Sequence, residues 1–200
     1  MSETAKTDPS AGDPARVQAS EQTAPGPRPF VPVRIAVLTV SDSRTLAEDK
    51  SGDVLAGRIA KTGHILADRA IVIDERALIE DQLTRWIANP EIDVVISTGG
   101  TGLTGRDVTV EAHEAVYEKS ISGFATLFAM VSFQKIGTSA IQSRACAGVA
   151  HGTYLFALPG SPGACKDAWD SILEPQLDLR HKPCNFVEIM PRLEEHRRKA

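Results

Sequence analysis

Cysteine is scarce in this 200-residue chain, and Cys146, Cys165 and Cys184 are odd in number and far apart, with no Cys-x-x-Cys pair. That excludes a disulfide framework and a thiolate zinc site, and leaves reduced, structural thiols as the reading. Histidine shows no ligand spacing either: His64, His113, His151, His181 and His196 contain no His-x-x-x-His pair, and His113 reads as a surface helix position. An excess of positive charge is also missing. With 22 Lys and Arg against 26 Asp and Glu the formal net charge is −4, so nothing draws the chain to nucleic acid or to an anionic membrane. No uninterrupted apolar run approaches the roughly 20 residues of a bilayer-spanning helix. The N-terminus lacks the basic start and apolar stretch of a secretory signal. The expected location is cytoplasmic, with no nucleic-acid and no membrane partner.

What is present suits one domain with a substantial core. Residues 1–30 carry five prolines and no periodic apolar pattern, a composition that cannot offset ordering entropy, and read as a disordered tail. Residues 31–190 form the expected domain, and 191–200 a charged C-terminal tail.

Within the domain, strand-like and helix-like stretches alternate. Arg34–Val40 is a buried-strand run, Ser51–Lys61 a helix stopped near Gly63, and His64–Ile73 a second strand. Asp74–Ile87 is an amphipathic helix with Asp74 at its N-cap and a stripe of Leu78, Ile79, Leu83, Trp86 and Ile87. Val94–Thr98 is a central strand that runs into a glycine-rich loop. Thr109 is the expected N-cap after that loop. Thr109–Lys119 and Gly123–Lys135, the latter capped by Ser122, are expected helices, and Thr138–Arg144 a short helical turn. Cys146–Ala150 and Thr153–Leu158 flank His151-Gly152 as a hairpin. Ser161-Pro162 opens a helix through Leu173. This order implies an α/β fold with a mainly parallel sheet, whose ligands bind outside the C-terminal strand ends. Four loops lie there: Ser41–Arg44, Asp74, Gly99–Asp107 and Pro159–Ser161.

The glycine loop carries the chemistry. Gly99, Gly100, Gly102 and Gly105 follow a strand and precede a helix, which lets backbone N–H groups approach an anion at a helix N-terminus. Gly100–Gly105 satisfies G-x-G-x-x-G, but it follows the third strand, its helix starts only after Asp107, and no acid ends a strand about 20 residues on. A P-loop is excluded because no Gly-Lys-Ser/Thr is present. Asp107 is out of place in an anion pocket unless a divalent cation lies between carboxylate and phosphate. Mg²⁺ prefers one or two carboxylates plus substrate phosphates, and Asp74, at the neighbouring strand end, is the candidate second carboxylate; its alternative reading is a plain N-cap. The residues alone thus point to a magnesium-dependent phosphoryl or nucleotidyl transferase.

The run Ser97–Ala112, with Thr39–Asp42, Leu158–Ser161 and Gly137–Arg144, resembles the MoaB/MogA family of molybdenum cofactor biosynthesis proteins, and the last segment resembles its MoaB branch. The resemblance implies a three-layer α/β/α sandwich with a mostly parallel central sheet, assembled as a homo-oligomer, trimer or hexamer. It implies binding of molybdopterin and its adenylylation by Mg²⁺-ATP with release of pyrophosphate. It places Asp74 and Asp107 as the catalytic, metal-holding pair. It places Ser41, Asp42, Gly99, Gly100, Thr101, Gly102, Ser139, Ser143, Pro159, Gly160 and Ser161 at the substrates. Other proteins of the cofactor pathway are further expected partners. A non-catalytic molybdopterin-binding or scaffold protein of the same pathway is the alternative. The chain departs from adenylyltransferase-type loops, which often carry Pro where this one has Leu103.

Overall fold

The computed structural model describes residues 26–197. A six-stranded sheet is formed by β1 (Arg34–Val40), β2 (Ile65–Val72), β3 (Val94–Thr98), β4 (Lys119–Ser120), β5 (Cys146–Ala150) and β6 (Thr153–Leu158). Its order is β2-β1-β3-β6-β5-β4. The pairings among β2, β1, β3 and β6 are parallel, and those of β5 with β6 and of β4 with β5 are antiparallel. β3 and β6 are buried throughout and β1 nearly so, as expected of strands covered on both faces and rich in β-branched or aromatic residues.

Helices α1 (Lys50–Lys61), α4 (Ser122–Ile136) and α5 (Pro162–Ala168) cover one face, packing Leu55, Ile59, Phe124, Phe128 and Cys165 against Ile35, Val37, Ile96 and Phe156. On the other face α2 (Arg76–Ile87) and α3 (Thr109–Val116) bring Ile79, Leu83, Trp86 and Ala112 against Leu38, Val95 and Leu155. The result is the expected three-layer α/β/α sandwich.

Strand register, more than layering, sets the carboxyl edge of the sheet. Thr39 pairs with Thr98, and Thr98 with Leu158, so β1, β3 and β6 end level and their loops leave side by side. α1 is set against this edge by Asp49, which caps Gly52 N–H and accepts bonds from Thr39 Oγ1 (2.6 Å) and Arg69 Nη2 (2.8 Å). Burial works to raise the Asp49 pKa, but Arg69, Thr39 and the cap bond outweigh it and hold the carboxyl below its ordinary value. Gly52 is required there, since a Cβ would stand 2.1 Å from Asp49 Oδ2.

Several local expectations change. Glu75, not Asp74, is the N-cap of α2, and Leu78 faces solvent. Val108, not Thr109, caps α3, which stops at Val116 because Lys119–Ser120 instead pairs with β5 as an edge strand. Ile121 occupies the cap position of α4, and Ser122 is its first helical residue. Residues Gly137–Gln142 form a 3-10 turn, and the helix opened by Ser161 passes into a π turn at Trp169–Leu173. His113 is the largest reversal: it is fully buried, with Nε2 2.7 Å from Ser97 Oγ and Nδ1 3.0 Å from Tyr117 Oη. Burial pushes its pKa down to about 3, so it is a neutral core group tying α3 to β3. The stretch Ser122–Gln142 is also long and apolar enough by composition to cross a bilayer, although Phe124 and Phe128 anchor it in the core. The expected 1–30 tail falls largely on residues 1–25, and the expected C-terminal tail in part on 198–200; both stretches lie outside the described residues.

Candidate functional site

Where the level ends of β1, β3 and β6 meet the end of β2, the loops enclose a cleft of about 460 Å³. The glycines make this closeness possible. Gly99 has φ +103° and a Cβ there would lie 2.2 Å from Val40 O; Gly100 has φ +61° and a Cβ would lie 2.4 Å from Asp74 Oδ1. Both positions demand glycine for conformation and for space. The Asp74 carboxylate consequently lies against the loop backbone.

Asp107 arrives from the other end of the same loop. Its Oδ2 accepts from Thr104 N–H (2.8 Å) and Thr104 Oγ1 (2.6 Å). The Thr104 hydroxyl, aided by the N–H groups of Thr104 and Gly102, holds its carboxyl below the usual range. Asp74 is the opposite case. Burial, then the charges of Asp42 and Asp107, raise its pKa, and the Arg106 charge and the Asp42 N–H offset them only in part. Two neighbouring carboxylates with pKa values pushed apart, neither in an ion pair among the described residues, form a cation-seeking arrangement.

Of the residues named from sequence, Asp74, Asp107, Ser41, Gly99, Gly100, Thr101, Gly102, Ser143, Pro159, Gly160 and Ser161 line the cleft. Asp42 does not. One of its oxygens accepts from Arg106 Nη2 (2.7 Å) and from the Asp74 N–H (3.0 Å), and the other from Arg106 Nε (3.1 Å), so it braces two rim loops. Arg106 and the Asp74 N–H hold its pKa down. Ser139 does not reach the cleft either; it is exposed on the 3-10 turn. Ser161 uses its hydroxyl oxygen to cap Ala164 N–H (3.1 Å).

Sequence reasoning left out Arg44, Gln142, Thr109 and Arg144. Arg44 is the one cation lining the cleft among the described residues. It donates at 3.3 Å to Gly160 O and at 3.2 Å to Ser51 Oγ, and it has no carboxylate partner there. Thr109 Oγ1 is buried without a hydrogen-bond partner, at the position where a Gly100 Cβ would meet it at 2.4 Å. An orphaned hydroxyl beside a poorly satisfied carboxylate marks a polar floor whose groups await a ligand. Among the described residues no cluster of three or more His, Cys, Asp or Glu could hold a metal ion. The two carboxylates therefore fit a hard divalent cation only when a ligand's oxygens complete its shell, as Mg²⁺ chemistry favours.

Comparison with known proteins agrees with this architecture. Residues 36–179 match the family model described as "Probable molybdopterin binding domain". The chain is 48% identical over 157 residues to molybdenum cofactor biosynthesis protein B of Escherichia coli K12, covering 78% of this chain and 92% of that one. A crystal structure of a molybdenum cofactor biosynthesis protein B superposes with TM-score 0.75 at 35% identity, covering 86% of this chain and 99% of the other. The tungsten cofactor synthesizing protein MoaB from Pyrococcus furiosus superposes with TM-score 0.64 at 32% identity, over 76% and 93%.

Proposed function

Because the chain belongs to the molybdopterin-binding domain family of molybdenum cofactor biosynthesis proteins, we propose that it binds molybdopterin and adenylylates it with Mg²⁺-ATP. A phosphate oxygen of molybdopterin attacks the α-phosphorus of ATP, the bond to the bridging oxygen of the β-phosphate breaks, and pyrophosphate leaves with that electron pair. The observation that carries this reading is the meeting of Asp74, from the end of β2, with Asp107, from the glycine loop after β3, both unpaired with any cation among the described residues, in a cleft built for anions. Asp74 and Asp107 would hold Mg²⁺, which neutralises phosphate charge and orients the reacting groups. The chain's own work is positioning. The glycine loop brings backbone N–H groups within reach of a phosphate, and Arg44 supplies the counter-charge at the rim. Asp107 stays ionised because Thr104 and Gly102 hydrogen-bond its charged form.

The exposed face of α4 supports the homo-oligomer in this reading. Leu127, Met130, Phe133 and Ile136 all face solvent there, a contiguous apolar stripe that a lone domain rarely leaves bare. Light scattering distinguishes monomer, trimer and hexamer. For the activity, purified protein with ATP, Mg²⁺ and molybdopterin is expected to release pyrophosphate and form adenylyl-molybdopterin. Tight molybdopterin binding without any pyrophosphate would overturn catalysis and leave the scaffold reading. A cytoplasmic location belongs to the same proposal.

A further inference from the structure

We infer that Arg144 is a positioning residue: it fixes the shape of the glycine loop and, through it, the place of the Asp107 carboxylate. The inference rests on the proposed reading of the cleft as a metal–phosphate site. Arg144 stands between the 3-10 turn and β5, and is 37 residues in sequence from Asp107. Its Nε donates to Thr101 O (3.0 Å) and Gly102 O (2.9 Å), and its Nη2 to Asp107 O (3.1 Å). One guanidinium thus gathers both ends of the loop. Nη1 and Nη2 also pair with the Glu111 carboxylate in the first turn of α3.

The physical consequence lies in peptide geometry. In a planar trans peptide the C=O and the following N–H point in opposite directions. Holding the carbonyls of Thr101 and Gly102 on Arg144 turns the N–H groups of Gly102 and Leu103 away from it. Gly102 lies directly against the Asp107 carboxylate, where a Cβ would stand 2.8 Å from Oδ2. Carbonyl oxygens that would repel a phosphate are drawn aside by the same contacts. Glu111 pairs with the guanidinium, and Arg144 bonds the main-chain carbonyl of Asp107 and not its carboxylate, so the carboxylate oxygens stay open to a cation while Arg144 holds the loop. The rest of the loop has little else to hold it: Leu103–Arg106 are exposed, and outside the loop and α3 it is also gripped among the described residues by Leu158 O, through the Gly99 N–H (3.0 Å), and by Asp42, through Arg106. Lysine cannot substitute, because an ammonium lacks the planar fork that reaches three carbonyls and a carboxylate together. Ser143 and Gln142, just before Arg144, also line the cleft, so the same stretch of chain that holds the glycine loop contributes to the lining.

The test uses the full chain with Arg144→Lys, Arg144→Ala and Glu111→Gln. In the adenylylation assay both Arg144 variants are expected to lose about 10- to 100-fold in kcat, the range for residues that orient ligand-holding groups, and to need more Mg²⁺ for half-maximal rate. KM for molybdopterin should move far less, and Glu111→Gln should lose less than either. Hydrogen–deuterium exchange is expected to quicken at the amides of residues 100–108 while the strands keep parental protection. A folded Arg144→Lys protein with parental kcat, Mg²⁺ requirement and loop exchange would overturn the inference. So would uniform loss of protection across the sheet, which marks a merely structural arginine. If the parent protein itself releases no pyrophosphate, the proposed function fails, and the loop exchange of Arg144→Lys, measured with and without Mg²⁺-ATP, still decides the role of Arg144. Should Arg144→Ala fail to fold, Arg144→Lys and Glu111→Gln decide it.

Discussion

The candidate cleft is smaller than a second hollow elsewhere among the described residues, and that larger hollow is not the candidate site. A cavity of about 600 Å³ runs along α1 beside the π turn, lined by Phe30, His64 and Trp169 and by many charged side chains. Most of those charges are paired: Arg58 with Asp170 at 2.6 Å, Arg180 with Asp178 at 2.7 Å and Asp53 with Arg69 at 2.7 Å, which leaves only Lys61 and Glu174 among the charges lining it. The cleft at the strand ends is smaller, about 460 Å³, yet it leaves Asp74, Asp107 and Arg44 without ion-pair partners among the described residues. Volume measures what could enter; unmatched charge held by a rigid backbone says what would be bound. Desolvating unpaired carboxylates carries a free-energy cost, which a ligand-carried cation of the kind proposed would offset.

The sharpest way to test this contrast is Asp107→Asn. Turnover should fall by about 10²–10³-fold, on the scale of removing one preorganised electrostatic group, with molybdopterin binding retained; equal loss of binding and turnover would contradict it. Asp74→Asn should come next, with a higher Mg²⁺ requirement and a melting temperature above that of the parent at neutral pH. The sign comes from its raised pKa. Above that pKa the folded state carries a charge it disfavours, so ionised Asp74 costs stability there, and the cost vanishes below the ordinary carboxylate pKa, where folded and unfolded chains are both protonated. The same proton competes with metal, so the parent's Mg²⁺ affinity should weaken as pH falls, and Asp74→Asn should flatten that dependence in a Mg²⁺ titration across pH. Arg44→Ala is expected to raise KM for the anionic substrates about tenfold, a charge-assisted contact of roughly 1.4 kcal/mol, with kcat nearly unchanged. Smallest of all, Arg58→Ala in the larger hollow should leave kcat and KM at parental values and cost roughly 1 kcal/mol or less in a denaturant melt, as a part-exposed ion pair does. An effect of Arg58→Ala on turnover as large as that of Arg44→Ala would undo the comparison.

Much of the fold was legible because its signals are local. Buried runs such as Ile35–Val40 and Val94–Thr98, the glycines at a strand end, and Ser161-Pro162 at a helix start each carry their own meaning within a few residues. The misreadings share a different character. His113 reads as a surface residue because α3 is only eight residues long, too short for one polar side chain to reveal its face, and because Ser97, which satisfies it, lies on another element. Asp42 reads as a ligand group because Arg106, which occupies it, stands 64 residues further along the chain. Arg144 stood in a segment that carried the family resemblance but gave no sign of its role, since three of its acceptors are main-chain carbonyls, which any residue can offer.

While the three layers were implied by the family resemblance, hydrophobic periodicity and turn chemistry by themselves determined an α/β fold with a mainly parallel sheet and the four loops at its carboxyl edge. They also determined that Asp74 and Asp107 belong at that edge, because a strand's end is set by its own residues. Tertiary structure alone decided which polar groups remain free there. A hydrogen bond or ion pair depends on what stands within about 3 Å, and here the deciding partners, Arg106 for Asp42 and Arg144 for the loop carbonyls, come from distant parts of the chain.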